Sequence, residues 1–133
     1  MNNSTPSEIV VRALQQVVAS PEHHPAVIAD FFSQDYQQQV DGHTLDYAQF
    51  VQHMALLKQQ TRSMRLNVLA LAEQGETVLT HHRVVVEKCD GSRCEVQVLA
   101  HFTLCAGRIV RCDELTHLLS GDSADRDLGG AAD

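Results

Sequence analysis

The chain has 133 residues, of which 44% are hydrophobic and 20% are charged, proportions typical of an ordinary globular protein. Its net charge of −7 and its scattered basic residues exclude the basic stripe that nucleic-acid binding requires. No apolar run reaches the length of a membrane span, and the N-terminal residues lack the pattern of a secretory signal. We therefore expect a cytoplasmic protein without a nucleic-acid or membrane partner.

Two helices are predicted at the start of the chain. The run Thr5-Pro6-Ser7-Glu8 has the form of a capping box, so a first helix is expected from Pro6 to Ala19. Pro21 ends this helix and opens a short second one, which is carried by Ala26 to Phe32.

A third helix follows after a short extended segment. Tyr36 to Val40 is predicted to be extended, and Asp41-Gly42 is predicted to form a turn. Thr44 is the expected cap of a helix from about Asp46 to Gln60, whose apolar stripe includes Tyr47 and Phe50.

The second half of the chain predicts a sheet. Four long β-type runs are separated by short turns, which leaves antiparallel pairing as the only economical topology. These runs are Met64 to Glu73, Val78 to Lys88, Cys94 to Cys105 and Arg108 to Leu119. Three helices before a four-stranded antiparallel meander indicate an α+β fold, with one domain over residues 1–120 and a disordered tail over residues 121–133.

Strand alternation predicts which side chains face the core. If Ala106-Gly107 is a two-residue turn, Phe102 lies opposite Arg111 and Ala100 lies opposite Asp113. Because Phe102 and Ala100 belong to the apolar face of their strand, Arg111 and Asp113 are expected on the core side, with room beside the small Ala100.

His82 belongs to the same class, because it shares its face with Val84 and other valines. An ionisable group on an apolar face costs several kcal/mol unless it is paired or borders a polar cavity. One alternative is that Arg111 and Asp113 form a structural ion pair and His82 is an ordinary core histidine. A bulge in the last strand would instead turn Glu114 toward the core.

A resemblance to a known family is carried by the order of elements and by two segments, Phe31 to Met54 and Phe102 to Gly121. The chain resembles the nuclear transport factor 2-like (cystatin-like) superfamily, specifically its bacterial branch similar to SnoaL-like polyketide cyclases. The resemblance implies a cone-shaped barrel, in which a curved antiparallel sheet wraps around three N-terminal helices, and a homodimer packed through the outer sheet face. The chain departs from the cyclase pattern at Gln39, where many relatives carry histidine, and at Thr116-His117, near the usual position of an aspartate.

Relatives of this kind include isomerases, dehydratases, hydrolases and cyclases, and also non-catalytic modules, so two functions are expected to compete. In the first, the chain is a cofactor-free acid-base enzyme acting on a small hydrophobic molecule, with Asp113 as acid or base and His82 as its partner. The ligand-binding residues would then be Arg111, Tyr47, Gln39, Phe50, Met54 and Phe102. In the second, side chains fill the cavity and the chain is a binding or dimerisation module.

The cysteines and histidines do not predict a metal site or a cofactor. The spacings of Cys89, Cys94, Cys105 and Cys112 match no zinc pattern, and free thiols are expected, with a disulfide between the first two as the alternative across their turn. The adjacent pairs His23-His24 and His81-His82 point their side chains apart, and no HxxxH or HxH pattern with a carboxylate occurs.

Overall fold

The structure, a computed structural model, describes residues 4–121. Helix α1 spans Pro6–Ala13, and the predicted capping box is present: Thr5 Oγ1 accepts the Glu8 N–H, and the Glu8 carboxylate accepts the Thr5 N–H (3.2 Å each). The first helix does not run uniformly to Ala19, because Leu14–Val18 form a π-helical turn. Wider turns of this type recur at functional sites.

Helix α2 spans Pro25–Phe31, one residue earlier than predicted, and Pro25 rather than Pro21 occupies its first turn. The loop between the π-helical turn and α2 is held by α3, the third helix, over Tyr47–Gln60. The ammonium of Lys58 on this helix donates hydrogen bonds to two backbone carbonyls, those of Val18 and Ser20.

The cap predicted for α3 was wrong. Asp46 is the N-cap residue: its carboxylate accepts the Gln49 N–H (2.8 Å), and Gln49 Oε1 accepts the Asp46 N–H (2.9 Å). Thr44 lies instead in a short strand, where it pairs with Gln39. A capping box can use aspartate as well as threonine, and strand pairing decided between the two positions.

Six strands form one sheet in the order β2-β1-β6-β5-β4-β3. They are β1 Phe32–Val40, β2 His43–Asp46, β3 Thr61–Gln74, β4 Thr77–Lys88, β5 Arg93–Cys105 and β6 Arg108–Ser120. The four predicted strands are confirmed as the meander β3 to β6. The predicted turn at Asp41-Gly42 is also confirmed, with φ of 49° and 89°, but it joins two strands in a hairpin.

The expectation of a purely antiparallel sheet was wrong for one pair. β1 runs parallel to β6, while all other neighbours are antiparallel. The chain between these two strands makes a long crossover through α3 and the rest of the sheet, and such a crossover permits parallel pairing.

The α+β cone predicted from the sequence is confirmed. The sheet is curved and mixed but not closed, with β2 and β3 at its edges. The helices contribute one side of the core, through Ile9, Val10, Phe50, Met54 and Leu57, and alternate residues of the strands contribute the other.

The predicted tail over residues 121–133 lies outside the described residues, apart from Gly121. The four cysteines all lie within residues 4–121 and none of them forms a disulfide, so Cys89 and Cys94 are not bridged. In the part of the chain that the structure describes, every helix is too short or too polar to cross a membrane.

Candidate functional site

A β-bulge decides which residues of β6 face the core. Leu104 pairs with Ile109 as predicted, but Thr103 pairs with Arg111, so Val110 is an extra residue in β6. One inserted residue moves every later side chain of a strand to the opposite face. The predicted pairing beyond Ile109 was therefore wrong by one residue.

The bulge turns Cys112 and Glu114 inward. Glu114 lies opposite Ala100, the position expected for Asp113, and Cys112 is 1% exposed. Arg111 and Asp113 lie on the outer face of the sheet, so their predicted placement on the core side was wrong.

Arg111, Asp113 and Gln39 form a cluster on this outer face. The Arg111 guanidinium donates to both carboxylate oxygens of Asp113 (2.9 Å each) and to Gln39 Oε1 (3.3 Å). The side chains of Arg111 and Asp113 are 45% and 35% exposed. The three residues predicted to contact a ligand inside the core thus contact one another on the opposite side of the sheet.

The inner face of the sheet and the helices enclose a cavity of about 70 Å³. Phe50, Met54 and Phe102 line it, as predicted, whereas Tyr47 packs partly buried against the core and lies outside the cavity wall. A volume of this size holds on the order of five water molecules, or a ligand with a similar number of non-hydrogen atoms.

Glu114 is the carboxyl group of the cavity wall. Burial, with a smaller contribution from the nearby carboxylate of Asp41, raises its pKa to about 8. Glu114 as a whole residue is partly exposed, and it borders two spaces: this cavity and a groove that is also lined by Leu79, Leu99 and Leu115. A ligand in the cavity therefore meets a carboxylic acid that is mostly protonated at neutral pH.

Three further polar side chains lie beside Glu114. The Tyr36 hydroxyl donates to Gln38 Oε1 (2.7 Å), and both residues are buried and line the cavity. The Cys112 thiol lies next to Tyr36, and burial raises the pKa of both the thiol and the phenol well above their ordinary values. Both groups are neutral and stay protonated through the physiological range.

His82 lines the opposite part of the cavity and is 3% exposed, which confirms the inward placement predicted from alternation. Its Nδ1 and the Thr80 Oγ1 are 2.9 Å apart and hydrogen-bonded. Burial, with His81 adding to it, lowers the pKa of His82 to about 4, so the imidazole is neutral at pH 7. His53 of α3 also lines the cavity.

The strand order sets the spacing of the two ionisable groups. Glu114 on β6 and His82 on β4 are separated by β5, so their strands lie roughly 10 Å apart. A small ligand between them contacts an acid on one side and a neutral imidazole on the other, an arrangement suited to proton transfer. Within residues 4–121 no group of three or more histidine, cysteine or acidic side chains is placed to hold a metal ion.

Sequence reasoning missed Tyr36, Gln38, His53 and Cys112 as cavity residues, and it gave Glu114 only as the alternative that a bulge in the last strand would turn inward. One signal for the bulge was present: Ile109 and Cys112 are both apolar yet lie three residues apart, which uninterrupted alternation cannot bury on one face.

Comparison with known proteins places this arrangement in a family. Residues 11–112 match the SnoaL-like domain. The chain belongs to the SnoaL-like domain family. The SnoaL-like chain is also 31% identical over 126 residues to an uncharacterized protein of Schizosaccharomyces pombe, covering 95% of this chain and 97% of the relative.

Two solved structures show that the fold of this SnoaL-like domain is shared. One, from Jannaschia sp. CCS1 and described as a SnoaL-like polyketide cyclase, has a TM-score of 0.71 at 15% identity and covers 87% of this chain and 90% of its own. Another, a nuclear transport factor 2-like protein of Burkholderia thailandensis E264, has a TM-score of 0.65 at 21% identity and covers 86% and 92%.

Proposed function

We propose that this SnoaL-like domain binds a small, mostly apolar molecule in its cavity and transfers a proton to or from it, with Glu114 as the acid-base group. One observation carries the proposal: the carboxyl of Glu114 borders a cavity whose wall is otherwise largely apolar. Its pKa of about 8 makes both protonation states accessible near neutral pH, as general acid-base catalysis requires.

His82 is proposed as the partner of this acid, as predicted from the sequence, although it acts from two strands away. Its neutral imidazole can accept or donate a hydrogen bond to a polar atom of the ligand. Phe50, Met54 and Phe102 supply the apolar wall that orients the ligand. The role first assigned to Asp113 passes to Glu114, because Asp113 is engaged by Arg111 on the outer face.

The reaction class that fits these groups is proton abstraction beside a carbonyl. The ionised Glu114 takes a proton from the carbon next to the carbonyl and becomes the carboxylic acid, which leaves an enolate. Glu114 or solvent then delivers a proton to carbon, and the carbonyl is restored. Isomerisation and cyclisation both begin with this step. A solved structure with the same fold is described as a cyclase, which supports this reaction class.

Solvent exchange tests the proposal directly. In D₂O, wild-type protein is expected to accelerate deuterium incorporation next to the carbonyl of cyclopentanone, measured by NMR against buffer alone. Glu114→Gln is expected to lose this acceleration by roughly 100-fold or more, because general acid-base groups contribute about that much. Asp113→Asn, one residue away on the outer face, is the matched control and should retain it.

Two results would contradict the proposed catalysis. No acceleration by wild type, or equal rates for wild type and Glu114→Gln, would reject acid-base catalysis in this cavity. The alternative of a non-catalytic module would then stand.

We also propose that the chain forms a homodimer through the outer sheet face. Leu79, Leu99 and Leu115 are 49%, 51% and 65% exposed there, and Leu99 pairs directly with Leu115. They line a groove of about 480 Å³, and exposed apolar patches of this kind commonly mark interfaces.

Light scattering after size exclusion tests the dimer. Wild type should have twice the chain mass, and Leu115→Glu should be a monomer. A wild-type monomer at high concentration would contradict the dimer.

We propose a cytoplasmic location as well. The four cysteines, all in the described part of the chain, form no disulfide, as is usual in reducing compartments. A fluorescent fusion retained outside the cytoplasm would contradict this location.

A further inference from the structure

The cavity contains a carboxyl group without a cationic partner. Within the described residues, no lysine or arginine lines the cavity wall that Glu114 borders. The carboxylate of Asp41 lies close enough to raise the pKa of Glu114, so a negative charge acts at this end even while Glu114 is protonated. His82 is neutral at pH 7. At pH 7 this end of the cavity therefore has the negative charge of Asp41 nearby, gains a second negative charge when Glu114 ionises, and has no basic side chain in its wall among the described residues.

Aromatic rings in the cavity wall also favour a positively charged ligand. Phe32, Tyr36 and Phe50 line the cavity as one cluster, with ring centroids 4.8 to 5.0 Å apart. The face of an aromatic ring carries partial negative charge and attracts organic cations. The hydroxyl proton of Tyr36 is donated to Gln38, and the Cys112 thiol is a second hydrogen-bond neighbour of the phenol.

We propose that the ligand of this cavity is a small organic cation, a protonated amine on a compact apolar body, whose ammonium group pairs with the Glu114 carboxylate beside the aromatic cluster. The inference rests on the proposed function, since it names the ligand class of the same cavity. A carboxylate or phosphate ester would meet like charge without a cationic partner. An uncharged alcohol of the same shape would meet the same wall but lack the charge that complements it.

Binding such a cation links the ligand to the protonation of Glu114. As the ammonium group enters, the carboxylic acid releases its proton to solvent and becomes the carboxylate of an ion pair. The ammonium ion thus takes the place of the released proton. The titratable groups around it are Asp41 in the β1–β2 turn, Tyr36 on β1, Cys112 on β6, His82 on β4 and His53 on α3. A bound amine thereby holds Glu114 in its ionised form.

Calorimetry on the full chain tests this ligand class with three probes of one ring size: cyclopentylamine, cyclopentanol and cyclopentanecarboxylate. At pH 7 the amine should bind wild type at least about tenfold more tightly than the alcohol, and the carboxylate should bind most weakly. Titrations in two buffers of different ionisation enthalpy should show release of nearly one proton per amine bound at pH 7. This release should vanish above about pH 9, where Glu114 is already ionised.

Glu114→Gln should remove both the preference for the amine and the proton release, and Asp113→Asn should preserve them. The proposal is overturned if wild type binds the alcohol as tightly as the amine, if amine binding releases no proton at pH 7, or if none of the three probes binds. These wild-type results do not depend on how well a variant folds. They are also separate from the exchange assay: amine binding without exchange would reject only the acid-base chemistry, and exchange without amine preference would reject only the cation.

Discussion

Glu114 faces Ala100 across the pairing of β6 with β5, on the inner side of the sheet. Thr80, the hydrogen-bond partner of His82, faces Ala100 from β4 on the other side. Because the side chain of Ala100 ends at Cβ, it leaves space between the acid and the Thr80–His82 pair. A single small residue thus separates Glu114 from Thr80, the hydrogen-bond partner of His82.

The pKa values of Glu114 and His82 predict an unusual dependence of stability on pH. The pKa of Glu114 is raised from 4.5 to about 8, so folding stability falls as pH rises through that interval. The pKa of His82 is lowered from 6.5 to about 4, so stability rises with pH up to 6.5. The two effects oppose each other below pH 6.5, and only the fall due to Glu114 remains from there to about pH 8.

We therefore expect the free energy of unfolding, measured by urea denaturation, to decrease by at most about 2 kcal/mol between pH 6.5 and pH 8. Glu114→Gln should abolish this decrease, because glutamine does not titrate. A wild-type protein that becomes more stable over this interval would show that Glu114 is not buried as described.

The Arg111–Asp113 pair is predicted to contribute little to stability, because both side chains are exposed on the outer face. A double-mutant cycle with Arg111→Ala and Asp113→Ala should give a coupling energy of about 1 kcal/mol or less. The coupling should weaken further in high salt. A coupling of several kcal/mol, insensitive to salt, would instead indicate a desolvated pair.

Truncation of a cavity residue should be far more costly than truncation of its neighbour in the same helix. Leu57 is 4% exposed and lines the cavity, while Leu56 is 45% exposed. Leu57→Ala should lower the free energy of unfolding by about 2–5 kcal/mol, and Leu56→Ala by roughly 0.5 kcal/mol or less. Equal losses in chemical denaturation would contradict the assigned orientation of α3.

The cap of α3 can be tested with two neighbouring positions. Asp46→Ala should cost about 1 kcal/mol of stability, because it removes the acceptor for the Gln49 N–H. Thr44→Ala, in the exposed edge strand β2, should stay within roughly 0.5 kcal/mol of wild type in the same denaturation experiment. A larger loss of stability for Thr44→Ala than for Asp46→Ala would indicate that Thr44 is the cap.

Local features of this chain were predictable because short-range chemistry determines them. The Thr5–Glu8 capping box and the Ala106-Gly107 turn, with φ of 52° and 81°, depend on residues adjacent in sequence. The inward placement of His82 followed from alternation along an uninterrupted part of β4. The cavity wall residues Phe50, Met54 and Phe102 were predictable for the same reason, since each lies on an apolar stripe.

The sequence by itself thus determined the α+β order, most element boundaries and the apolar side of the cavity. Only the tertiary structure decided that β1 runs beside β6 and that Val110 is bulged, and these two facts exchange Asp113 for Glu114 as the acid of the cavity. The spacing of Ile109 and Cys112 indicates a bulge, but the regular and the bulged register of β6 place similar numbers of apolar residues inward, so a count of apolar residues does not choose between them. The choice depends on packing against distant residues: Ile109 pairs with Phe32 of β1 and Cys112 lies beside Tyr36.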